Sequence, residues 1–260
     1  MPEDRGEEIQ DDICAWWEYY SSLDFHDWIQ DCIRDSIKKE FSLRRDLLLI
    51  SGESAGGMLA VYTWLTHSGS VLPIRALYLQ YPMLNYYSRN MDGKEVSYMD
   101  IHVTRQDIEH GAEALISCTN KQRAENRCVS RSDSEPPEGM AAAMCLSNTH
   151  RWEEVFKDGK ADILDIRGNL ERLRKSYHKL EHFPDMFIIH GQQDKAIPIA
   201  DTREFKTSVT DLAETAGKTV NINFREFPGK DHAFDYEIKP GDDEQVDAMM
   251  RSIIEAWCTF

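Results

Sequence analysis

The sequence predicts an α/β fold in which a mainly parallel β-sheet is covered by helices. The chain has 260 residues, enough for one large domain or two small ones with a sizeable core. With 41% hydrophobic and 29% charged residues, its composition is typical of globular proteins and not of disordered chains. Strand-like and helix-like stretches alternate along it without a visible repeat. Such alternation favours parallel strands with helical connections.

Four stretches have the apolar runs or the alternation expected of buried strands. They are Leu47 to Ile50, Ile74 to Tyr81, Met186 to Ile189, and the alternating Val220, Ile222 and Phe224. The second of them ends at Pro82, which cannot continue a central strand.

Apolar residues at helical spacing predict helices before and between these strands. Two precede the first strand, marked by Ile9, Ile13, Trp16, Trp17 and Tyr20, and by Trp28, Ile29, Cys32, Ile33 and Ile37. Asp201 to Glu204 resembles a capping box that opens a later helix, and Gly217 supplies its stop. A C-terminal helix has an apolar stripe that should pack on the sheet: Val246, Met249, Met250, Ile253, Ile254 and Trp257. We expect core positions for the tryptophans Trp16, Trp17, Trp64 and Trp257.

Residues 84–182 interrupt the alternation and are predicted to form a helical insertion. Within them, Thr119 to Glu138 is polar and ends in Glu-Pro-Pro-Glu, which favours a mobile loop. The predicted organisation is therefore residues 1–83 as the first part of the core, residues 84–182 as a cap insertion, and residues 183–260 as the second part of the core.

The charge of the chain argues against several classes of partner. Against 30 Lys and Arg stand 46 Asp and Glu, a net charge of −16 at pH 7. Because no dense Lys/Arg block offsets this charge, we expect neither nucleic acid nor an anionic membrane as a partner. The longest wholly apolar run, Met140 to Leu146, is far shorter than the ~20 residues of a membrane span.

The chain ends and the cysteines point to the cytoplasm. The first eight residues contain neither a basic segment nor an apolar stretch, so no secretory leader is predicted. The 6 cysteines are scattered without a C-x-x-C pair, which is typical of reduced thiols in a cytoplasmic protein.

The most informative motif is G-x-S-x-G at Gly52 to Gly57, directly after a predicted strand and before a predicted helix. A strand that reverses into a helix within a few residues places the serine, Ser54, at an exposed and strained apex. We expect glycine at the flanking positions because neighbouring backbone must approach closely there. The amide of Ala55 at the start of the helix is predicted to face an oxyanion.

A serine hydroxyl needs a base, and the base needs an orienting acid. Asp194 follows the third predicted strand, and His232 follows the fourth. Both therefore lie where open α/β sheets place their sites, at the carboxyl ends of strands. Asp231 and Asp235 are competing acids, but both are too near His232 in sequence to orient its ring easily from behind.

Other chemistries have little support in the sequence. The remaining histidines lack the spacing of H-E-x-x-H or of Cys/His sites, so no metal site is predicted. No G-x-G-x-x-G or Walker pattern occurs, and no cofactor is expected. Glu53, inside the motif, is interpreted as a packing or salt-bridging residue and not as a catalytic acid.

Together these residues resemble the α/β-hydrolase superfamily and, within it, the hormone-sensitive-lipase-like esterases of the fold-3 group. The resemblance runs over nearly the whole chain. It rests on the G-x-S-x-G motif, on His190–Gly191 with Asp194 and Pro198, and on the His-Ala-Phe-Asp run at His232. It implies an α/β-hydrolase fold with helices on both faces of the sheet and a helical cap at residues 84–182. It also implies hydrolysis of small-molecule carboxylic esters by Ser54 as nucleophile, Asp194 as acid and His232 as base.

The chain departs from the family in one respect. The family has an H-G-G-G-like oxyanion loop upstream of its serine, and none precedes Ser54. Pro2–Glu3, followed by Asp11–Asp12 and Trp16–Trp17, is similar to the family's segment after its fourth strand, so we expect the first four strands and this loop to be missing. The Ala55 amide would then be the remaining donor of the oxyanion hole, and each lost donor costs about 10²–10³ in rate. The strand at residues 47–50 would become an exposed edge that favours self-association.

Alternative functions stay open at this point. A non-catalytic descendant of the fold could bind a small molecule, although the retention of Ser54, Asp194 and His232 favours an enzyme. A serine peptidase or thioesterase would use the same three residues.

Overall fold

The structure is a computed structural model that describes residues 6–37, 44, 47–67, 74–85, 96–98, 101–125, 144–156, 165–176 and 182–258. The chain divides into two compact units. The first, here the sheet unit, contains Ile13–Leu84 and Ile166–Phe260, and the other contains Met1–Asp12 and Asn85–Asp165. The bounds of the cap insertion stay a prediction.

The sheet unit is built on four parallel strands: β1 (Leu48–Glu53), β2 (Ile74–Gln80), β5 (Asp185–Gly191) and β6 (Ile222–Phe227). Their order across the sheet is β1-β2-β5-β6. In register, Leu79 of β2 lies between Gly52 of β1 and Ile188 of β5. The parallel α/β fold that the sequence predicts is therefore confirmed, with all four strands where the apolar runs indicated.

The central strands, β2 and β5, are mostly apolar, as expected of strands with both faces covered. Side chains on one face of β2 and β5, among them Tyr78 and Ile189, pack with buried residues of the C-terminal helix. The alternate residues point to the opposite face, where Leu77, Leu79 and Ile188 are fully buried. On both edge strands, β1 and β6, most described side chains are partly exposed.

The helices of this unit follow the strands along the chain. Helix α1 (Gly6–Ser21) begins in the other unit and is followed by α2 (Leu23–Ile37) and by α3 (Ala55–His67), which contacts β1 and β2. Later come α6 (Ile166–Lys175), which packs on α3, then α7 (Ile199–Thr215) and the C-terminal α8 (Glu244–Cys258).

Helix α7 corrects one prediction and confirms another. It begins at Ile199 after Pro198, and no side chain caps its first turn. Asp201 lies inside that turn, so the predicted capping box is wrong. Proline fixes the backbone ahead of the helix instead. The predicted stop at Gly217 is confirmed: its φ is +63°, and the next amide, that of Lys218, donates to the carbonyl of Ala213.

The apolar stripe of α8 is narrower than predicted. Met249 and Ile253 are buried against the sheet, whereas Met250 and Ile254 are exposed. Adjacent residues on a helix lie 100° apart, so only one member of each pair can face the sheet.

The tryptophans also divide. Trp17 and Trp64 are buried, as expected, but Trp16 is 52% exposed and stacks on Tyr20 with ring centroids 5.2 Å apart. Trp257 is only partly buried, and its indole N–H donates to the carbonyl of Leu47. The core positions predicted for Trp16 and Trp257 are therefore wrong. Trp16 stacks on Tyr20 while half exposed, and Trp257 is partly buried with its N–H bonded to a backbone carbonyl.

The other unit contains a short antiparallel pair, β3 (Val96–Tyr98) with β4 (Ile101–Val103), followed by α4 (Arg105–Ala124) and α5 (Trp152–Phe156). Residues 144–149 are also helical. The mobile loop predicted from Thr119 is wrong for residues 119–124, because α4 continues through them with Ile108, Ala112 and Ile116 on its buried face. The rest of that predicted loop lies outside the described residues.

Candidate active site

Ser54 lies at the turn between β1 and α3. Its backbone has φ of 51°, a left-handed conformation that is uncommon for a residue with a side chain. The turn is fixed by backbone hydrogen bonds. The Ser54 amide donates to the carbonyl of Gln80 (2.9 Å), and the Ser54 carbonyl accepts from the amide of Met83 (3.0 Å). The strained serine is therefore anchored to the end of β2.

The glycines of this turn differ in what they allow. A Cβ on Gly52 would lie 2.2 Å from the carbonyl oxygen of Gly56, and one on Gly57 would lie 2.6 Å from the Cβ of Pro82. A Cβ on Gly56 would meet nothing within 4 Å. The expected need for glycine therefore holds at Gly52 but is wrong at Gly56. The second position that demands glycine is Gly57, where α3 passes close to Pro82.

The structure brings the three residues singled out in the sequence into hydrogen-bond contact. Nε2 of His232 lies 3.1 Å from Oγ of Ser54, and Nδ1 of His232 lies 2.7 Å from Oδ2 of Asp194. All three lie in the sheet unit, just beyond the carboxyl ends of β1, β5 and β6. The side chains of Asp194 and His232 are 0% and 8% exposed.

Asp194 accepts hydrogen bonds at both carboxylate oxygens. Oδ1 accepts from the amides of Ala196 (2.9 Å) and Ile197 (2.7 Å), while Oδ2 faces His232. Burial, the largest influence, raises the pKa of Asp194, but hydrogen bonds from His190, His232 and Ile197 and the charge of His232 outweigh it. The pKa of Asp194 is lowered to about 2. The acid is therefore ionised wherever the protein is folded near neutral pH.

The two loops that carry Asp194 and His232 are joined by their backbones. The amide of Gln193 donates to the carbonyl of Lys230 (3.0 Å), and a Cβ on Gly191 would lie 2.4 Å from that same oxygen. The two loops therefore pass so close at Gly191 that a side chain there would clash with the backbone of Lys230. This approach brings the acid within reach of the imidazole.

The competing acids have other partners. Asp231 accepts from the amides of Lys195 (2.9 Å) and of His232 itself (2.8 Å). Asp235 accepts from the side-chain amide of Gln80 (2.5 Å). Through these partners, each carboxylate helps to hold the loop of His232 in place.

Sequence reasoning missed Tyr81, whose ring meets the imidazole of His232 edge-on with centroids 4.5 Å apart. Its hydroxyl donates to Glu53 (3.4 Å). Burial, together with the charges of Asp235 and Glu53, raises the pKa of Tyr81, so the phenol keeps its proton. The sequence signal that could have found it is a tyrosine directly before Pro82, at the end of a strand beside the motif.

Glu53 acts as a hydrogen-bond acceptor. Besides Tyr81, it accepts from the hydroxyl of Tyr236 at 2.7 Å. It is exposed at the end of β1, and its interpretation as a packing or salt-bridging residue stays a prediction.

The surroundings of Oγ of Ser54 define where a substrate could react. Met83 places its sulfur 3.7 Å from Oγ. The backbone N–H of Ala55, the first of α3, has no acceptor among the described residues, as expected for the first turn of a helix. Within the described ranges, no three His, Cys, Asp or Glu side chains are grouped to hold a metal ion. No described helix is long and apolar enough to cross a membrane.

Comparison with solved structures finds esterases. The chain is 16% identical to the esterase LipW from Mycobacterium marinum, over 81% of this chain and 50% of that one, with a TM-score of 0.38. It is 14% identical to carboxyl esterase 2 from Tuber melanosporum, over 89% and 60%, with a TM-score of 0.41. It is also 14% identical to esterase B from Lactobacillus rhamnosis, over 98% and 64%, with a TM-score of 0.45. The chain thus spans 50% to 64% of the length of these structures.

No curated protein matches the chain. A family model described as alpha/beta hydrolase fold matches residues 2–149, which is more than half of the chain. The resemblance inferred from the G-x-S-x-G turn and the two downstream loops is therefore confirmed at the level of the family, and the chain belongs to the alpha/beta hydrolase fold family.

Proposed function

We propose that the protein hydrolyses carboxylic esters through a covalent acyl-enzyme intermediate, with Ser54 as nucleophile, His232 as base and Asp194 as orienting acid. One observation carries the proposal. An unbroken line of contacts, 3.1 Å from Ser54 to His232 and 2.7 Å from His232 to Asp194, joins the ends of three strands in one compact unit. Membership of the hydrolase family supports it.

The arrangement suits proton transfer from serine to histidine. Because Asp194 is ionised, it accepts the Nδ1–H of His232, which leaves Nε2 as the acceptor of the Ser54 proton. Attack of Oγ on the ester carbonyl carbon moves that proton to Nε2 and gives a tetrahedral oxyanion. Collapse expels the alcohol, which takes the proton from His232.

Water completes the cycle. His232 removes a proton from a water molecule that attacks the acyl-Ser54 carbonyl, and the second tetrahedral intermediate collapses to the carboxylic acid. Ser54 recovers its proton from His232, so one ester and one water give one acid and one alcohol. Asp194 keeps its charge throughout and stabilises the imidazolium that forms twice in each cycle.

The oxyanion is assigned to the backbone N–H of Ala55, at the N-terminus of α3. This amide lacks another acceptor among the described residues, and the helix terminus adds a favourable partial charge. Loss of a single oxyanion donor typically costs about 10²–10³ in rate, so this amide should contribute strongly to turnover.

The test is labelling with a fluorophosphonate probe, followed by mass spectrometry of the peptides. Ser54 should be labelled, and Ser54→Ala should abolish both the label and the release of nitrophenol from p-nitrophenyl butyrate. Ser51→Ala is the matched control: it changes an exposed serine of the same strand and should alter neither signal. A label that persists in Ser54→Ala would exclude the hydrolase mechanism. A small-molecule binder without catalysis would bind ester analogues but leave Ser54 unlabelled.

Two further proposals concern the whole protein. The five described cysteines, Cys14, Cys32, Cys118, Cys145 and Cys258, are free thiols, which supports a reducing compartment such as the cytoplasm. Fractionation of cells that express the protein would test this location, and recovery in a secreted or membrane fraction would contradict it.

Self-association through the edge of β1 is the other proposal. Among the described residues, β1 pairs with β2 alone, so its second edge presents unpaired backbone groups. Light scattering should then find oligomers at micromolar concentration. Replacing the exposed Ser51 of β1 by lysine, a charge that disfavours pairing at a strand edge, should reduce them if this edge is the contact. Unchanged oligomers would place the contact elsewhere.

A further inference from the structure

His190 is a buried histidine beside the proposed active site that the mechanism above does not use. It lies in β5, four residues before Asp194, and is 0% exposed. Its Nδ1 lies 2.9 Å from the hydroxyl of Thr202. Its Nε2 lies 3.0 Å from the carbonyl oxygen of Ile197 and 3.2 Å from Oδ2 of Asp194.

These partners fix which nitrogen carries a proton. A carbonyl and a carboxylate oxygen can only accept, so Nε2 of His190 must be a donor. The hydroxyl of Thr202 can donate, and it therefore completes a neutral His190 by donating to Nδ1. Such a neighbour on the far nitrogen sets the tautomer of an imidazole.

The single proton on Nε2 is shared between two acceptors. The better-aligned hydrogen bond goes to Ile197, and the carboxylate of Asp194 lies 0.2 Å farther away (3.2 Å against 3.0 Å) on the same side. Ile197 therefore bonds to both residues: its carbonyl accepts from Nε2 of His190, and its amide donates to Oδ1 of Asp194.

The carboxylate is thereby held at both oxygens. Oδ1 accepts two backbone amides, and Oδ2 lies between two histidines, His190 on the buried side and His232 on the side of Ser54. Rotation of the carboxylate would break contacts at both oxygens at once.

We propose that His190 is a positioning residue that, in its Nε2–H tautomer, holds Oδ2 of Asp194 in line with Nδ1 of His232. Its effect on turnover rests on the proposed function, but the hydrogen-bond arrangement does not. If His190 only filled the core, its bonds to Thr202 and Ile197 would satisfy it, and its replacement would not change the position of Asp194 relative to His232.

The first test needs no substitution. In protein labelled with ¹⁵N-histidine, the side-chain spectrum should give His190 as the Nε2–H tautomer. It should also contain a proton resonance far downfield for Nδ1–H of His232, the sign of a short bond to a carboxylate. An Nδ1–H tautomer for His190, assigned by its loss in His190→Gln, would overturn the proposal.

The second test compares two replacements with a matched control. His190→Leu removes the donor and should weaken or abolish the downfield resonance of His232 and lower kcat about 10- to 100-fold, the range for loss of a hydrogen bond to a charged group. His190→Gln keeps a donor and should recover part of both. His182→Leu removes an exposed histidine that contacts the carbonyl of Ile74 at 3.3 Å, away from Asp194. It should leave the resonance intact.

The outcomes separate this proposal from the proposed function. If the downfield resonance and kcat are the same in His190→Leu as in the unaltered protein, the positioning role is wrong even though ester hydrolysis stands. If hydrolysis never depends on Ser54 but the resonance is lost in His190→Leu, the positioning role stands and the function is wrong. If His190→Leu does not fold, the tautomer and His190→Gln decide.

Discussion

Asp194 concentrates more hydrogen bonds than any other carboxylate of the proposed active site. It faces two imidazoles and two backbone amides. Asp231 accepts from two backbone amides, and Asp235 accepts from a side-chain amide. The difference comes from position: Asp194 follows β5 and can reach the far side of the imidazole, which carboxylates beside His232 in sequence do not. Distance in sequence thus helps to separate the proposed orienting acid, Asp194, from the other carboxylates near His232.

This contrast predicts the effect of removing each charge. Asp194→Asn should lower kcat for a p-nitrophenyl ester by about 10⁴, because His232 would lose the partner that fixes its tautomer. Asp231→Asn and Asp235→Asn should each cost much less. Steady-state kinetics on the three purified variants measure the ranking. If Asp231→Asn were the most damaging, the assignment of the acid would be wrong.

At the scale of the element, the turn between β1 and α3 depends on the absence of side chains at particular points. Gly52 and Gly57 allow the first turn of α3 to fold back on β1 and to pass beside Pro82, and this packing holds Ser54 in its left-handed conformation. Gly56 faces open space, although the same motif contains it.

We therefore expect Gly52→Ala and Gly56→Ala to differ sharply. The first places a methyl group 2.2 Å from a backbone oxygen and should destabilise the protein by about 1–3 kcal/mol, in the range for an overpacked site, with loss of fluorophosphonate labelling. The second should fold and react much as before, and alanine within a helix can even add about 0.5–1 kcal/mol. Thermal unfolding and labelling measure both effects. Equal behaviour of the two variants would contradict the account of the turn.

For the whole molecule, the ionised Asp194 ties stability to pH. Its pKa is lowered in the folded state from 3.8 to about 2, so the folded carboxylate releases its proton more readily than the unfolded one. Its stabilising effect is complete above about pH 4 and is lost as the pH falls through about 2. The size of the shift corresponds to about 2 kcal/mol of unfolding free energy.

The prediction concerns the difference between the protein and Asp194→Asn. Urea unfolding at a series of pH values should give a decline in the unfolding free energy between pH 4 and pH 2 that is about 2 kcal/mol smaller in the variant. Asp231→Asn, which changes a more exposed carboxylate, should follow the unaltered protein. Parallel curves for all three proteins would show that Asp194 does not carry this dependence.

Much of the fold and of the site was predictable because both rest on local patterns joined by one rule of topology. Leu47 to Ile50 and Met186 to Ile189 are apolar without interruption, which is typical of short buried or half-buried strands. Once the strands are parallel, the carboxyl ends of β1, β5 and β6 lie on the same side of the sheet, and Ser54, Asp194 and His232 come together there.

What was missed depends on contacts between distant parts of the chain. The ring of Tyr81 matters because the loop after β6 places an imidazole 4.5 Å away, and nothing near Tyr81 in sequence encodes that loop. Gly57 must be glycine because Pro82 lies close to it. Trp16 is exposed because adjacent Trp17 lies on the buried side of α1, and adjacent helix residues point about 100° apart. Periodicity finds a helix, but the neighbours decide which of two adjacent residues is buried.

The close approach of Gly191 to Lys230 has a consequence for how this protein can evolve. The loop that carries the acid and the loop that carries the histidine meet backbone to backbone, so their lengths are not independent. An inserted residue in either loop would separate the imidazole from the carboxylate unless the other loop changed to match. We therefore expect lineages that descend from this protein to vary the two loops only as a pair.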